Sequence, residues 1–163
     1  MAATGQDGEM SETRANGCRQ PGSNLLERMI SASGAKSADR VTILGHEHFD
    51  LLVGLCRRGY VDVSCQAAGQ GPHCGERAAD ILWIPSVPSD ARLRQALQRL
   101  SRDLRPDGVL VLRDQRKDAD VFRLRKLLAE SGFEADRQAV GRRSDGLLLC
   151  AHKRPAAQMR RAA

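Results

Sequence analysis

Aromatic side chains are scarce: one Trp, one Tyr and three Phe make up 3% of the 163 residues. With no aromatic cluster among the arginines, the sequence offers little support for base stacking, the usual sequence-tolerant route to single-stranded nucleic acid. Long apolar runs are also lacking. The longest are short pieces such as residues 81–84 and 147–151, far below the ~20 residues needed to cross a bilayer. The first 22 residues have no basic start followed by an apolar core, so no secretory signal is read there, and the expectation is a soluble, cytoplasmic protein. Cys-x-x-Cys pairs are missing too. The five cysteines, at 18, 56, 65, 74 and 150, are odd in number and irregularly spaced, which argues for reduced thiols over a disulfide framework.

Positive charge is in modest excess: 26 Lys and Arg against 20 Asp and Glu give +6. Four of these charges, Lys153, Arg154, Arg160 and Arg161, sit in the last twelve residues. Such a tail is either solvated or a salt-sensitive contact for nucleic acid or an acidic partner.

The apolar pattern divides the chain into a disordered tail at 1–22, a docking helix and linker at 23–40, one α/β domain at 41–153, and a basic tail at 154–163. Ser23 or Asn24 caps a helix reaching Ser33, with Leu25, Leu26, Met29 and Ile30 on one stripe and Gly34 ending it. Val41–Leu44 reads as a strand, Gly45 as a turn, and Phe49, Leu52, Val53 and Cys56 as a helix face. Residues 60–65 alternate as a second strand, 66–77 form a loop, and 79–87 are a buried strand. Leu93, Ala96, Leu97, Leu100 and Leu104 then form one face of a helix, opposite Arg92, Arg94, Gln98, Arg99 and Arg102. Leu104-Arg-Pro-Asp-Gly108 reads as a turn, 109–112 as a strand, and Val121, Leu124, Leu127 and Leu128 as a helical stripe ending at Ser131-Gly132. Residues 133–140 and 146–152 pair as antiparallel strands across a polar turn.

This order, with Asp80-Ile-Leu-Trp-Ile84, Leu104-Arg-Pro-Asp-Gly108 leading into a strand, and Leu127-Leu-Ala-Glu-Ser-Gly-Phe133, resembles the class I S-adenosylmethionine-dependent methyltransferases. The resemblance covers 41–153. It implies a Rossmann-like α/β fold: a mostly parallel sheet with helices on both faces and a C-terminal antiparallel strand pair. The third-strand region is reduced, because 66–78 has no room for that strand and its helices. It also implies S-adenosylmethionine as cofactor, with Gly45, Glu47, Gln66 and Ser86 nearest its pocket and no metal expected.

The cofactor end departs from the family pattern. Of the family's acidic residue and three alternating glycines, only Gly45 remains in Val41-Thr-Ile-Leu-Gly-His-Glu-His-Phe49. Ile43 stands in place of the acid, and Glu47 and Phe49 replace the later glycines, where a Phe ring would take space the nucleoside needs. The acid that grips the ribose is replaced by Gln66. No general base can be named. Active methyl transfer by in-line attack on the sulfonium methyl and loss of the cofactor both remain open.

Other constellations compete. His46-Glu-His-Phe-Asp50 resembles the metal-binding start of metallo-β-lactamase-like hydrolases, so a metal-dependent hydrolase using His46, His48 and Asp50 is one alternative; a pair of surface histidines at a helix start is the plainer one. Cys65, His73 and Cys74 offer a loose zinc shell or a thiol beside a base, against buried structural cysteines. Asp80 reads as a solvent-facing strand edge and Trp83 as core, whereas Pro85, Ser86 and Asp114 lie at the strand ends that face a ligand crevice. The alternative to an enzyme is a non-catalytic binding module that contacts an acidic protein or nucleic acid through the arginine face or the 25–33 helix, with a homodimer as a further expectation.

Overall fold

The computed structural model describes residues 21–67, 78–136 and 146–154. Residues 1–20 of the expected tail at 1–22 and 155–163 of that at 154–163, most of the loop at 66–77, the second half of the 133–140 strand and the polar turn after it lie outside the described residues, as do Cys18, His73 and Cys74. Helix α1 (Pro21–Ser33) is followed by β1 (Val41–Leu44), a 3-10 turn (His46–His48), α2 (Phe49–Arg57), β2 (Val63–Gln66), β3 (Ala79–Ile84) and α3 (Asp90–Asp103). β4 (Leu104–Asp114), α4 (Val121–Glu130), β5 (Phe133–Ala135) and β6 (Leu147–Lys153) complete the order. The sheet runs β2-β1-β3-β4-β6-β5. β2, β1, β3 and β4 are parallel, and β6 is antiparallel to both β4 and β5. The mixed α/β architecture and its antiparallel C-terminal pair follow the sequence expectation.

Parallel strands have both faces covered by helices, which is why these strands read as nearly continuous apolar runs. Alternate side chains point to opposite faces. Leu82, Ile84, Leu110, Leu112 and Leu149 pack with Leu93, Leu97 and Leu100 of α3 and Leu124, Leu127 and Leu128 of α4. Val41, Ile43, Ile81, Trp83 and Val111 pack with Leu26 and Met29 of α1 and Leu51 and Leu55 of α2. Trp83 is fully buried, as expected. The Ser89 and Asp120 side chains cap α3 and α4 by accepting from the Arg92 and Phe122 amides, satisfying donors that a helix start leaves open.

Several local expectations are corrected. α1 begins at Pro21, ahead of Ser23, because proline suits the first helical turn, where its missing N–H costs nothing. Within its apolar stripe Leu26 and Met29 are buried against the sheet, with Leu25 and Ile30 partly buried beside them. In α2 the core-facing residues are Leu51 and Leu55, whereas Phe49 is 61% exposed and Cys56 is exposed. The 3-10 turn between β1 and α2 rotates the helix so that this i, i+4 pair meets the sheet. α1 and α2 approach so closely that a Cβ on Gly54 would collide with Leu26 Cδ2.

β2 starts at Val63, not Tyr60, and Val61 is 86% exposed. Tyr60 instead turns inward, its hydroxyl donating to the Ala35 carbonyl at 2.8 Å. β3 ends at Ile84, where Pro85 follows. Residues 105–108 are not a separate turn but an irregular part of β4: Ala79 pairs with Leu104, and Ile81 already pairs with Val109. Asp80 is no solvent-facing edge residue. Its carboxylate accepts from the Arg40 amide at 2.9 Å and from Arg105 Nη1 at 2.7 Å, bracing that irregularity.

Because α1 supplies part of the second core layer, Met29→Ala should destabilise the chain by about 2–5 kcal/mol, while Val61→Ala should change it by less than about 0.5 kcal/mol. Urea unfolding followed by circular dichroism checks both. A Met29→Ala loss no larger than that of Val61→Ala would show that α1 is not part of the cooperative core.

Candidate functional site

The C-terminal ends of the four parallel strands meet at one end of the sheet, the end at which open α/β folds bind ligands. Gly45 leaves β1 with φ +111, a conformation that side chains other than glycine's rarely adopt. Its amide donates to the Gln66 carbonyl at 2.7 Å, and its carbonyl accepts from the Cys65 thiol at 3.1 Å. The first turn is thereby tied to the end of β2. The chain then doubles back so that Glu47 lies over Gly45: a Cβ placed on the glycine would sit 2.8 Å from Glu47 Oε1. Thus Gly45, Glu47 and Gln66 come together. Ser86, beyond β3 at the same end, is half-buried and makes no hydrogen bond to them among the described residues.

Phe49 corrects an expectation. Its ring is turned largely to solvent, so the group lying over the glycine is the Glu47 carboxylate, not the phenyl ring.

His48 has its Nε2 3.7 Å from Glu47 Oε1. Burial lowers its pKa below the ordinary 6.5, Glu47 and Asp50 pull it up, and Arg113 adds to the lowering. The imidazole is therefore neutral at pH 7. Burial, and then the Glu47 charge, push the Cys65 thiol upward, leaving a protonated thiol and no nucleophile. Asp50 is exposed, and the His46 side chain lies outside the described ones. Among the described residues, no group of three or more His, Cys, Asp or Glu is placed to hold a metal ion.

The other half of the crevice holds a charge network that the sequence did not reveal. Asp114, at the end of β4, is fully buried. It accepts from Arg116 Nε at 2.9 Å, from Arg116 Nη2 at 2.6 Å, and from the Arg116 amide at 3.0 Å. Arg116 Nη1 reaches Asp90 Oδ1 at 2.7 Å at the start of α3, and Arg123 Nε reaches Asp90 Oδ2 at 3.0 Å from α4. The segment after β4 is thus bolted to both helix starts. Burial alone would raise the Asp114 pKa, but the hydrogen bonds and charge of Arg116 outweigh it and hold the carboxyl below its ordinary value. With both oxygens engaged, Asp114 is a structural anion and a poor proton acceptor. The only sequence trace was an Asp-x-Arg pair after a strand; Asp90 and Arg123 join it through folding.

Solved structures share this architecture. SpnF, a [4+2]-cyclase, superposes with a TM-score of 0.64 at 14% identity over 82% of this chain and 81% of its own. A Haloferax volcanii methyltransferase, solved in complex with the Trm112 methyltransferase activator, gives 0.60 at 14% identity over 79% and 87%. The precorrin-6y C5,15-methyltransferase of Geobacter metallireducens gives 0.57 at 12% identity over 80% and 89%. The fold is that of the class I methyltransferases. No family profile matches the chain, and no curated protein matches it in sequence. Within this methyltransferase fold, no helix of the described residues is long and apolar enough to cross a membrane.

The Asp114–Arg116 pair sets a pH dependence. A carboxyl held below its ordinary pKa contributes stability above about pH 4 that is lost as pH falls through the lower folded value. Arg116→Met should cost about 3–5 kcal/mol at pH 7, because it leaves a buried charge unpaired. Its deficit should shrink toward pH 3, where Asp114 is protonated in the variant. Denaturant curves from pH 7 to about 3 test this, and a deficit independent of pH would show that the pair does not carry the charge energetics.

Proposed function

We propose that this chain is a methyltransferase-fold protein with a degenerate cofactor site, working as a binding module through its surface and not by transferring methyl groups. The observation that carries the reading is the Glu47 carboxylate, which lies over Gly45 from the solvent side. In this fold a bare glycine at that turn lets a ligand approach the backbone; here the approach is taken by the chain's own anion, which would repel the carboxylate of S-adenosylmethionine. The end of β2 adds to the mismatch. Gln66 offers an amide where a charged, two-point grip on ribose hydroxyls is needed. Gly45, Glu47 and Gln66 therefore do not fit S-adenosylmethionine as a set, and Ser86 alone does not make a site.

The acceptor side supports the same reading. Asp114 is consumed by Arg116, and His48 is held neutral beside Glu47. Fold does not dictate methyl transfer, since one fold hosts many functions; the neighbour SpnF is itself described as a [4+2]-cyclase. The Haloferax neighbour was solved with a protein partner, a methyltransferase activator, so this fold can present a surface to another protein. The hydrolase alternative gains no support from the described residues.

Calorimetric titration of the metal-analysed protein with S-adenosylmethionine and its demethylated product tests the proposal. The expected result is no saturable heat up to about 1 mM ligand, weaker than about −4 kcal/mol of binding. Saturable micromolar binding, abolished by Gly45→Arg, would overturn it and restore the enzyme reading.

A further inference from the structure

The apolar stripe that the sequence offers in α2 is not the face that enters the core. Leu51 and Leu55 are buried, whereas Phe49 is 61% exposed, Cys56 is exposed, and Leu52 and Val53 are half-buried. At about 100° per residue, Phe49, Leu52, Val53 and Cys56 fall within an arc of about 100°, the width of a face that is ordinarily covered. The stripe lies on a definite side of the molecule. Gly54 meets Leu26 of α1, and Arg58 pairs with Glu27 of α1; around the helix, these two positions flank the core pair on the side opposite the stripe. α1 lies over β4 and β6, and α2 over β2. The flank of α2 turned away from α1 therefore overhangs the β2 edge of the sheet.

That edge is open among the described residues, where β2 pairs with β1 alone. The Val41 amide donates to the Asp62 carbonyl at 2.9 Å, and the Gly45 amide to the Gln66 carbonyl at 2.7 Å. Residues 62, 64 and 66 thus turn their backbone groups to β1, and Val63 and Cys65 present theirs outward. Val63-Ser64-Cys65-Gln66 carries neither the charge nor the proline that commonly blunts an exposed edge. The carboxylate of the preceding Asp62 is held by Arg40 Nε at 2.9 Å.

We propose that this side is a self-association surface, on which a second copy of the chain pairs its β2 antiparallel to this one about a two-fold axis and packs α2 stripe on α2 stripe. Both elements are self-complementary, as a two-fold contact requires. With Ser64 facing its own counterpart, Val63 of each copy stands opposite Cys65 of the other, each pair exchanging two hydrogen bonds. A helix seated on β1 and β2 then stands about 10 Å from its symmetry mate, close to the distance at which helices pack. Charge selects a second copy as the occupant. Asp50 lies in the first turn of α2 and Arg57 in the last; both are exposed, and at a spacing of two turns they border the stripe on the same side. Antiparallel helices bring each Asp50 beside the other copy's Arg57. The proposal goes beyond the binding-module reading and stands whatever the crevice binds.

Sedimentation velocity of the full chain in reducing buffer, from about 1 to about 300 µM, tests this; a reversible monomer–dimer equilibrium in the micromolar range is expected of so small an interface. Phe49→Asp should weaken it roughly tenfold or more by setting a charge in the apolar stripe. Asp50→Arg and Arg57→Asp should each weaken it several-fold, and the double swap should restore it. Rescue separates pairing from folding, because the swap sets both charges at the wrong ends of the helix dipole and can only weaken α2 itself. Amide exchange at Val63 and Cys65 should slow as concentration rises in the parent chain and not in Phe49→Asp. A monomer throughout the range, assembly beyond the dimer, a dimer insensitive to Phe49→Asp, no rescue by the double swap, or unprotected Val63 and Cys65 amides would each overturn the proposal.

Discussion

Parallel pairing of β1, β3 and β4 forces a covering layer onto both faces of the sheet, and the rest of the structure follows from that demand. One layer is built by α3 and α4, whose leucine faces close on Leu82, Ile84, Leu110 and Leu112. The other is too small if α2 acts alone, since that helix has nine residues and buries only Leu51 and Leu55. α1 supplies the remainder with Leu26 and Met29. The contact between the two short helices is close because Gly54 has no Cβ to hold Leu26 away. A segment that reads as an appendage is therefore part of the core.

The same arrangement gathers four strand ends at one edge, and the two halves of that edge are built differently. On the β1–β2 side the solvent-exposed carboxylate of Glu47 lies over the Gly45 turn. On the β4 side a buried aspartate is chelated by an arginine that also clamps the start of α3. Burial works against charge on His48 and Cys65, and both oxygens of Asp114 accept from Arg116.

Charge is distributed unevenly between the layers. Ion pairs within the α3–α4 layer are mostly internal and consume acids. Burial and exposure therefore separate two kinds of arginine in one short stretch: Arg116 and Arg123 are part of the architecture, and Arg92 and Arg102 are part of the surface.

Sequence alone determined the element order, the leucine face of α3, the helix stripe of α4 and the antiparallel finish, because these rest on local periodicity and on capping residues such as Ser89. It also showed that Gly45 stands without the later glycines and that Gln66 replaces an acid. Only the tertiary structure decided the phase of α2, the inward turn of Tyr60 and the run of β4 through residues 105–108, since each depends on which neighbour is packed alongside. The charge network was equally illegible, because Asp90, Asp114 and Arg123 come from three elements and Arg116 from the segment after β4, and they meet only when β4, α3 and α4 are docked. Glu47 is the sharpest case. Its identity was plain in the chain, but its position over Gly45 depends on a positive φ and a 3-10 turn, which place a side chain where the linear pattern had pointed to Phe49.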